Sequence, residues 1–314
     1  MKRISQICLI PILVSVMLAL PNLSAQGEQI TPVSGKGYLG VGFPRYILFD
    51  VDIKDAQVAM ELWANELSKM NKLPLKTRSI IIRDLPSLVT GLRNKEIDVI
   101  GLPSLDYLKI KDEVNLVPAL GTVLGGRHGE EYVLVTRSNK ASGSLKKLEN
   151  NKLVFQRDRF VGNVPLMWLD TLLIKKGLPD SKHFFADIKT VNKVSQAVLP
   201  VFFKQMDACL VTRRGFDTMA ELNPQLGKEL TILDTSPIYV LGIVVFRKDF
   251  NEEYRKRIIK TALDFRKLAS GKQMLTLFRV DDFFLFHNSD LDTLRELLNE
   301  YKQLEDTQTF AKKK

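Results

Sequence analysis

The sequence predicts an α/β fold built as two units with a cleft between them. Three observations carry that expectation. Short, near-continuous apolar segments alternate with helices that are apolar along one face. A polar stretch at residues 138–144 separates one set of such units from another. A strongly apolar segment at 240–246, followed by long helices, lets the chain return late to its first unit. Strands buried on both faces imply a parallel-type sheet sandwiched by helices.

The elements follow in order. Residues 38–43 read as a strand that ends at Pro44. Residues 55–70 place Val58, Ala59, Leu62, Trp63 and Leu67 at helical spacing. A strand at 75–82 leads to a helix at 85–93 that Asp84 opens as its cap. A buried strand at 97–102, a helix at 104–111 and a short strand at 114–118 complete the first set. After the Gly125-Gly126-Arg127-His128-Gly129 turn comes a strand at 132–136. The second set has strands at 152–156, 207–211 and 230–233, and helices at 163–176, 192–204 and 214–222. Gly177 ends the first of those helices, with Pro179 just beyond. Amphipathic helices at 252–269 and 290–304 close the chain, the latter carrying a Ser289-x-x-Asp292 cap signal. No internal repeat is visible.

Residues 1–25 stand apart from this pattern. Lys2 and Arg3 precede an apolar run at 7–20, and Leu23-Ser24-Ala25 offers a small residue for cleavage. That layout is a secretory signal peptide cut near Ala25, which sends the protein to the periplasm. The run is short for a membrane anchor and contains Pro11. Without Lys2 and Arg3 the chain keeps 44 basic against 36 acidic residues, a net charge near +8. The basic residues are spread along the chain, and only Lys312-Lys313-Lys314 forms a run. An exported protein with such a distribution attracts anions rather than nucleic acid. Cys8 and Cys209 cannot build a disulfide framework, and His128, His183 and His287 are scattered. Neither a metal site nor a cofactor is expected, and a monomer is.

In sheets of this kind ligands sit outside the carboxyl ends of the strands. The strand-to-helix turns therefore supply the candidate contacts: Arg45 and Tyr46, Ser104 with Tyr107 one turn later, Arg157 and Arg159, Gly162 and Asn163, and Thr212 with Arg213. Ser104 is read as a helix cap in any case. Asp98 and Asp207 precede apolar strands and read as turn-makers rather than acids of a catalytic pair. His128 reads as a loop or hinge residue and Cys209 as core. The run Phe283-Phe284-Leu285-Phe286 is core, a seam between helices, or a docking patch.

At these turns the sequence resembles the phosphate/phosphite/phosphonate-binding proteins of ABC importers. The resemblance rests on Asp84 to Leu92 with Lys95-Glu96-Ile97-Asp98-Val99, and on Gly101-Leu102-Pro103-Ser104-Leu105-Asp106-Tyr107. It continues in Leu172 to Leu178 with Phe184-Phe185, Met206-Asp207-Ala208 and Thr235-Ser236-Pro237-Ile238. It runs from about residue 38 to 280. The resemblance implies a two-lobed type II periplasmic-binding fold, with residues 26–137 plus 238–314 as lobe one and 138–237 as lobe two. Crossovers near Arg137 and Pro237 would join them. It implies no enzyme, but a solute-binding protein that captures a small anion between the lobes for a membrane ABC permease or a sensor kinase. The chain departs from the family where a hydroxyl cluster opens the first large helix of lobe two. Here the stretch is Asp158-Arg159-Phe160-Val161-Gly162-Asn163, and Pro103 stands in place of a glycine. Arg157 and Arg159 are the expected replacements, because a guanidinium binds an oxyanion through two donors. Two other classes compete. One is a periplasmic assembly factor on a degenerate scaffold. The other is an exported enzyme, for which no nucleophile, metal-ligand or nucleotide-loop motif is present.

Overall fold

The computed structural model describes residues 37–45, 52–72, 76–138, 144–157 and 162–311. The expected leader, Tyr46 and Arg159 lie outside the described residues.

β1 (Tyr38–Pro44) runs parallel to β2 (Lys76–Ile82) and, on its other side, to β3 (Val99–Pro103). The helices between them are α1 (Ile53–Met70) and α2 (Leu85–Arg93). Both start on an aspartate. The Asp52 carboxylate accepts from the Lys54 and Asp55 N–H groups, and that of Asp84 accepts from the Ser87 N–H at 2.8 Å. These caps satisfy donors that a helix start otherwise leaves free. α3 (Ser104–Ile110) follows β3 directly, and β4 (Leu116–Val123) ends the first pass.

The chain then crosses into a second sheet. Its strands are β5 (Tyr132–Arg137), β6 (Lys152–Gln156), β7 (Asp187–Val191), β8 (Ala208–Thr212) and β9 (Leu230–Thr235). Between them lie α4 (Val164–Lys175), α5 (Ser181–Phe184), α6 (Val194–Phe202), α7 (Arg213–Leu222) and α8 (Pro224–Glu229). A second crossover leads back through β10 (Gly242–Arg247), α9 (Glu252–Leu263), α10 (Ala269–Leu277) and β11 (Asp282–Leu285) to α11 (Asp292–Ala311). The first sheet has the order β11-β4-β10-β3-β1-β2 and the second β7-β6-β8-β5-β9.

The two sheets obey one rule. The first strand after each crossover is inserted antiparallel: β10 between β3 and β4, and β5 between β8 and β9. The sheets are therefore mixed, not the parallel type expected. The rule also moves the strand at 132–137 into the second sheet, so the first crossover is residues 124–131 rather than the vicinity of Arg137. The second is residues 236–241. The two crossovers are hydrogen-bonded to each other, the Glu130 N–H donating to the Tyr239 carbonyl and the Tyr239 N–H to that of Glu130, each at 2.9 Å.

Other expectations shift for local reasons. The helix expected at 252–269 is broken at Asp264 into α9, a 3-10 turn at Phe265–Lys267, and α10. Gly271 allows this, since a Cβ there would lie 2.3 Å from the Phe265 carbonyl oxygen. β7 escapes a reading by apolar pattern because it is an edge strand with three of its five residues exposed. Ser104 is not a cap: Pro103 holds that position, and the Ser104 N–H donates to the Leu241 carbonyl at 2.8 Å.

Three apolar clusters hold the fold. One joins both sheets, with Leu102 and Ile243 from the first and Tyr132, Leu134, Phe155 and Leu210 from the second. A second packs the other face of the first sheet against α1, α9 and α10. The third packs the far face of the second sheet against α6, α7 and α8. Alternation along β5 divides Tyr132 and Leu134 from Val133 and Val135, as the two-residue period of a strand requires.

Candidate functional site

A cavity of about 470 Å³ opens at the strand ends beside both crossovers. The second sheet contributes Gln156 and Arg157 at the end of β6, Asn192 after β7, and Thr212 at the end of β8. Arg214 of α7 and Glu130 of the first crossover also face it. The first sheet contributes Gly42, Gly101, Leu102 and Thr122, and β10 contributes Ile243 and Val244. The volume falls within the range of about 300–1,000 Å³ usual for small-molecule sites.

The polar groups at this end differ in how they are engaged. Arg157 is exposed, and its guanidinium makes no ion pair with another described residue. Gln156 has a buried side-chain oxygen with no hydrogen-bond partner among the described residues. A half-turn of that amide exchanges its acceptor for two donors. The Thr212 hydroxyl accepts from the Gly215 N–H at 3.2 Å and keeps its own proton to donate. Arg214 donates to the buried Glu130 carboxylate at 3.1 Å. Gly125, at φ +59°, makes room for it, since a Cβ there would meet Arg214 Cδ at 2.1 Å. The Asp281 carboxylate accepts from the Gly125 and Gly126 N–H groups and holds that turn.

Of the residues proposed from sequence, Arg157 and Thr212 line this cavity. Arg45 is exposed after β1 and stands apart from the lining. Tyr107 is buried in the cluster that joins the sheets, and burial raises its phenol pKa above the ordinary value. Ser104 is buried, with its hydroxyl lacking a partner among the described residues, and is not a lining residue. Gly162 and Asn163 precede α4, where Gly162 takes φ +65°; a Cβ on it would stand 3.7 Å from Leu105 Cδ2. Arg213 is committed to Asp217 at 3.0 Å and Glu131 at 3.7 Å. Gln156, Asn192, Glu130 and Arg214 were not among the sequence candidates. The rule that sites form at strand ends reaches Gln156 and Asn192, but β7 had to be seen first.

Asp98 and Asp207 are structural. Asp98 accepts from the Gly40 N–H at 2.8 Å and from Arg247 at 2.7 Å. Asp207 accepts from the Lys152 N–H at 2.9 Å and pairs with Arg137 at 3.4 Å. His128 stacks on Phe284 with centroids 3.9 Å apart. The buried Cys209 thiol is pushed well above the ordinary range by desolvation. Among the described residues no group of His, Cys, Asp or Glu is arranged to hold a metal ion, and no helix is long and apolar enough to cross a membrane.

Two mixed sheets joined by two crossovers, with a cavity at their strand ends, define the type II periplasmic-binding fold. The chain belongs to the family of phosphonate ABC-transporter periplasmic substrate-binding proteins, whose pattern it matches over residues 50–291. Members of that family are substrate-binding proteins of ABC transporters, not enzymes. The phosphonates-binding periplasmic protein of Escherichia coli (strain K12) is 24% identical over 219 residues, which are 68% of this chain and 64% of that protein's length. PhnD1 from Prochlorococcus marinus (MIT 9301), solved with methylphosphonate, shares the fold at a TM-score of 0.53 and 19% identity, covering 84% of this chain and 99% of that chain. XAC2383 from Xanthomonas citri, solved with ATP, shares it at a TM-score of 0.60 and 14% identity, covering 86% and 98%.

Proposed function

We propose that this protein is an exported, monomeric solute-binding protein that captures an oxyanion between two lobes and hands it to an ABC permease. Its lobes are built on the two sheets, with hinges at residues 124–131 and 236–241. The observation that carries this reading is Arg157. It stands at the carboxyl end of a parallel strand, lines the cavity, and has no acidic partner among the described residues. Thr212, Asn192 and the Gln156 amide supply neutral donors around it. Ligand that touches both sheets selects the closed arrangement by its differential affinity.

A thermal-shift screen of the purified protein tests this against phosphate, phosphite, methylphosphonate, sulfate, methanesulfonate and acetate. An anion at a hundredfold excess over its Kd stabilises the folded state by about 2.7 kcal/mol. The expected result is a selective shift that Arg157→Ala removes. A flat profile across the panel overturns anion capture and favours the assembly-factor reading.

A further inference from the structure

The cavity does not stop at the cleft. It continues beneath the first sheet, where Phe43, Leu67, Phe246, Phe265 and Met274 line it. These five side chains are 0–4% exposed and belong to the cluster that packs the sheet against α1, α9 and α10. Protein interiors are close-packed and hold few voids larger than a water molecule. Cleft and extension together enclose about 470 Å³, against the roughly 150 Å³ of an apolar void that takes up benzene.

A second, independent feature keeps it open. Gly101 lies in the middle of β3 opposite Val244, on the same sheet face as Val99. A Cβ placed there would meet nothing within 4 Å. Nor does its backbone require glycine, as its φ is not among the positive values of the chain. Glycine weakens a strand interior where a β-branched residue would strengthen it. The one thing this glycine provides is space in the cavity wall.

The polar groups sit at the other end, on the second sheet and the crossover. A small oxyanion gains nothing from the apolar walls, since burying charge against them is costly. We propose that the ligand is an amphiphile, with an anionic head at Arg157 and an unbranched alkyl tail running under β1 and β3 toward Met274. The unbranched, polarizable methionine suits an adaptable apolar wall. This inference rests on the reading above that the cleft takes an anion.

Calorimetric titration of the purified protein with methyl-, butyl- and octylphosphonate below their aggregation limits tests it. Affinity should rise about fourfold per methylene until the tail fills the cavity. Gly101→Val should abolish that length dependence and leave the melting temperature equal or higher. Trp63 lines the cavity and Trp168 does not, so 8-bromooctylphosphonate should quench tryptophan emission in the wild type but not in Trp63→Phe. Equal affinity for methyl- and octylphosphonate, or an unquenched Trp63, overturns the tail and leaves anion capture standing. Octyltrimethylammonium binding as tightly as octylphosphonate overturns the anionic head. No binding by phosphonates of any length, nor by the anions of the first screen, overturns both readings together.

Discussion

Arg214 reaches from α7 across Gly125 to donate a 3.1 Å hydrogen bond to Glu130, tying the second sheet to the crossover that leads into it. Glu130 is buried and lines the cavity, while the Arg214 side chain is half exposed. The pair brings an acid to the proposed anion site and offsets it with a base.

Glu130→Gln removes that negative charge and keeps an acceptor for Arg214. Coulomb repulsion between like charges a few ångströms apart near a protein surface is of order 1 kcal/mol or more, so affinity for methylphosphonate should rise at least about fivefold. Stability should change by less than about 1 kcal/mol, since one partner is solvated. Titration calorimetry and a denaturant melt read the two effects separately. Weaker anion binding in Glu130→Gln would mean that the carboxylate contacts the ligand through a shared proton or organises the hinge.

The second prediction concerns the buried pair Asp98–Arg247. Asp98 is 1% exposed and fastens β1 through the Gly40 N–H as well as β10 through Arg247. Asp98→Ala leaves the buried Arg247 guanidinium with only the half-exposed Asp249 among the described residues and unties β1 at Gly40, a change that costs about 3–5 kcal/mol. Urea unfolding should show a loss of at least about 3 kcal/mol. A smaller loss than Arg213→Ala, whose partners are partly exposed, would refute the assignment.

Gly121 and Phe284 form a third test. A Cβ at Gly121 would meet the Phe284 ring at 2.2 Å, so the bare backbone of β4 is what lets that ring lie flat and stack on His128. Gly121→Ala should destabilise the wild type by about 1–3 kcal/mol through overpacking. The same change should cost much less in a Phe284→Ala background, giving a clear coupling in the double-mutant cycle. Additive effects would show that the ring is not what excludes a side chain at 121.

The fourth prediction is a pH dependence. The Ser87 hydroxyl at 2.6 Å, and then the Ser87 N–H, hold the Asp84 carboxyl below its ordinary pKa. A carboxyl lowered on folding contributes stability that is present above its unfolded pKa, about 3.9, and is lost as pH falls through the lower folded value. The difference in melting temperature between wild type and Asp84→Ala should therefore hold from pH 7 to 5 and shrink below about pH 4. A difference that grows on acidification would reverse the assigned sign.

Much of this fold can be read along the chain because its causes are local. The apolar runs of β1, β6 and β8, the aspartate that opens α2 and the glycine that ends α4 act within a few residues. So does the order of short motifs that places the chain in its family. Of the site, Arg157 and Thr212 follow from the rule that ligands gather at strand ends, applied to strands that were themselves legible. Tyr107 and Ser104 obey the same rule but turn inward to the core, since the face a short helix presents is set by what packs on it.

The tertiary structure alone decided the rest. Whether residues 132–137 join the first sheet or the second depends on pairing with β8 and β9, up to about a hundred residues away, and no local pattern encodes a partner. The same holds for Arg214 and Glu130, 84 positions apart, and for the space that Gly101 leaves beneath the sheet. Local sequence determines which segments become strands and helices, because propensity and capping act over a single turn. Pairing, charge compensation and cavities depend on which distant surfaces exclude water together, so they exist only once the whole chain has folded.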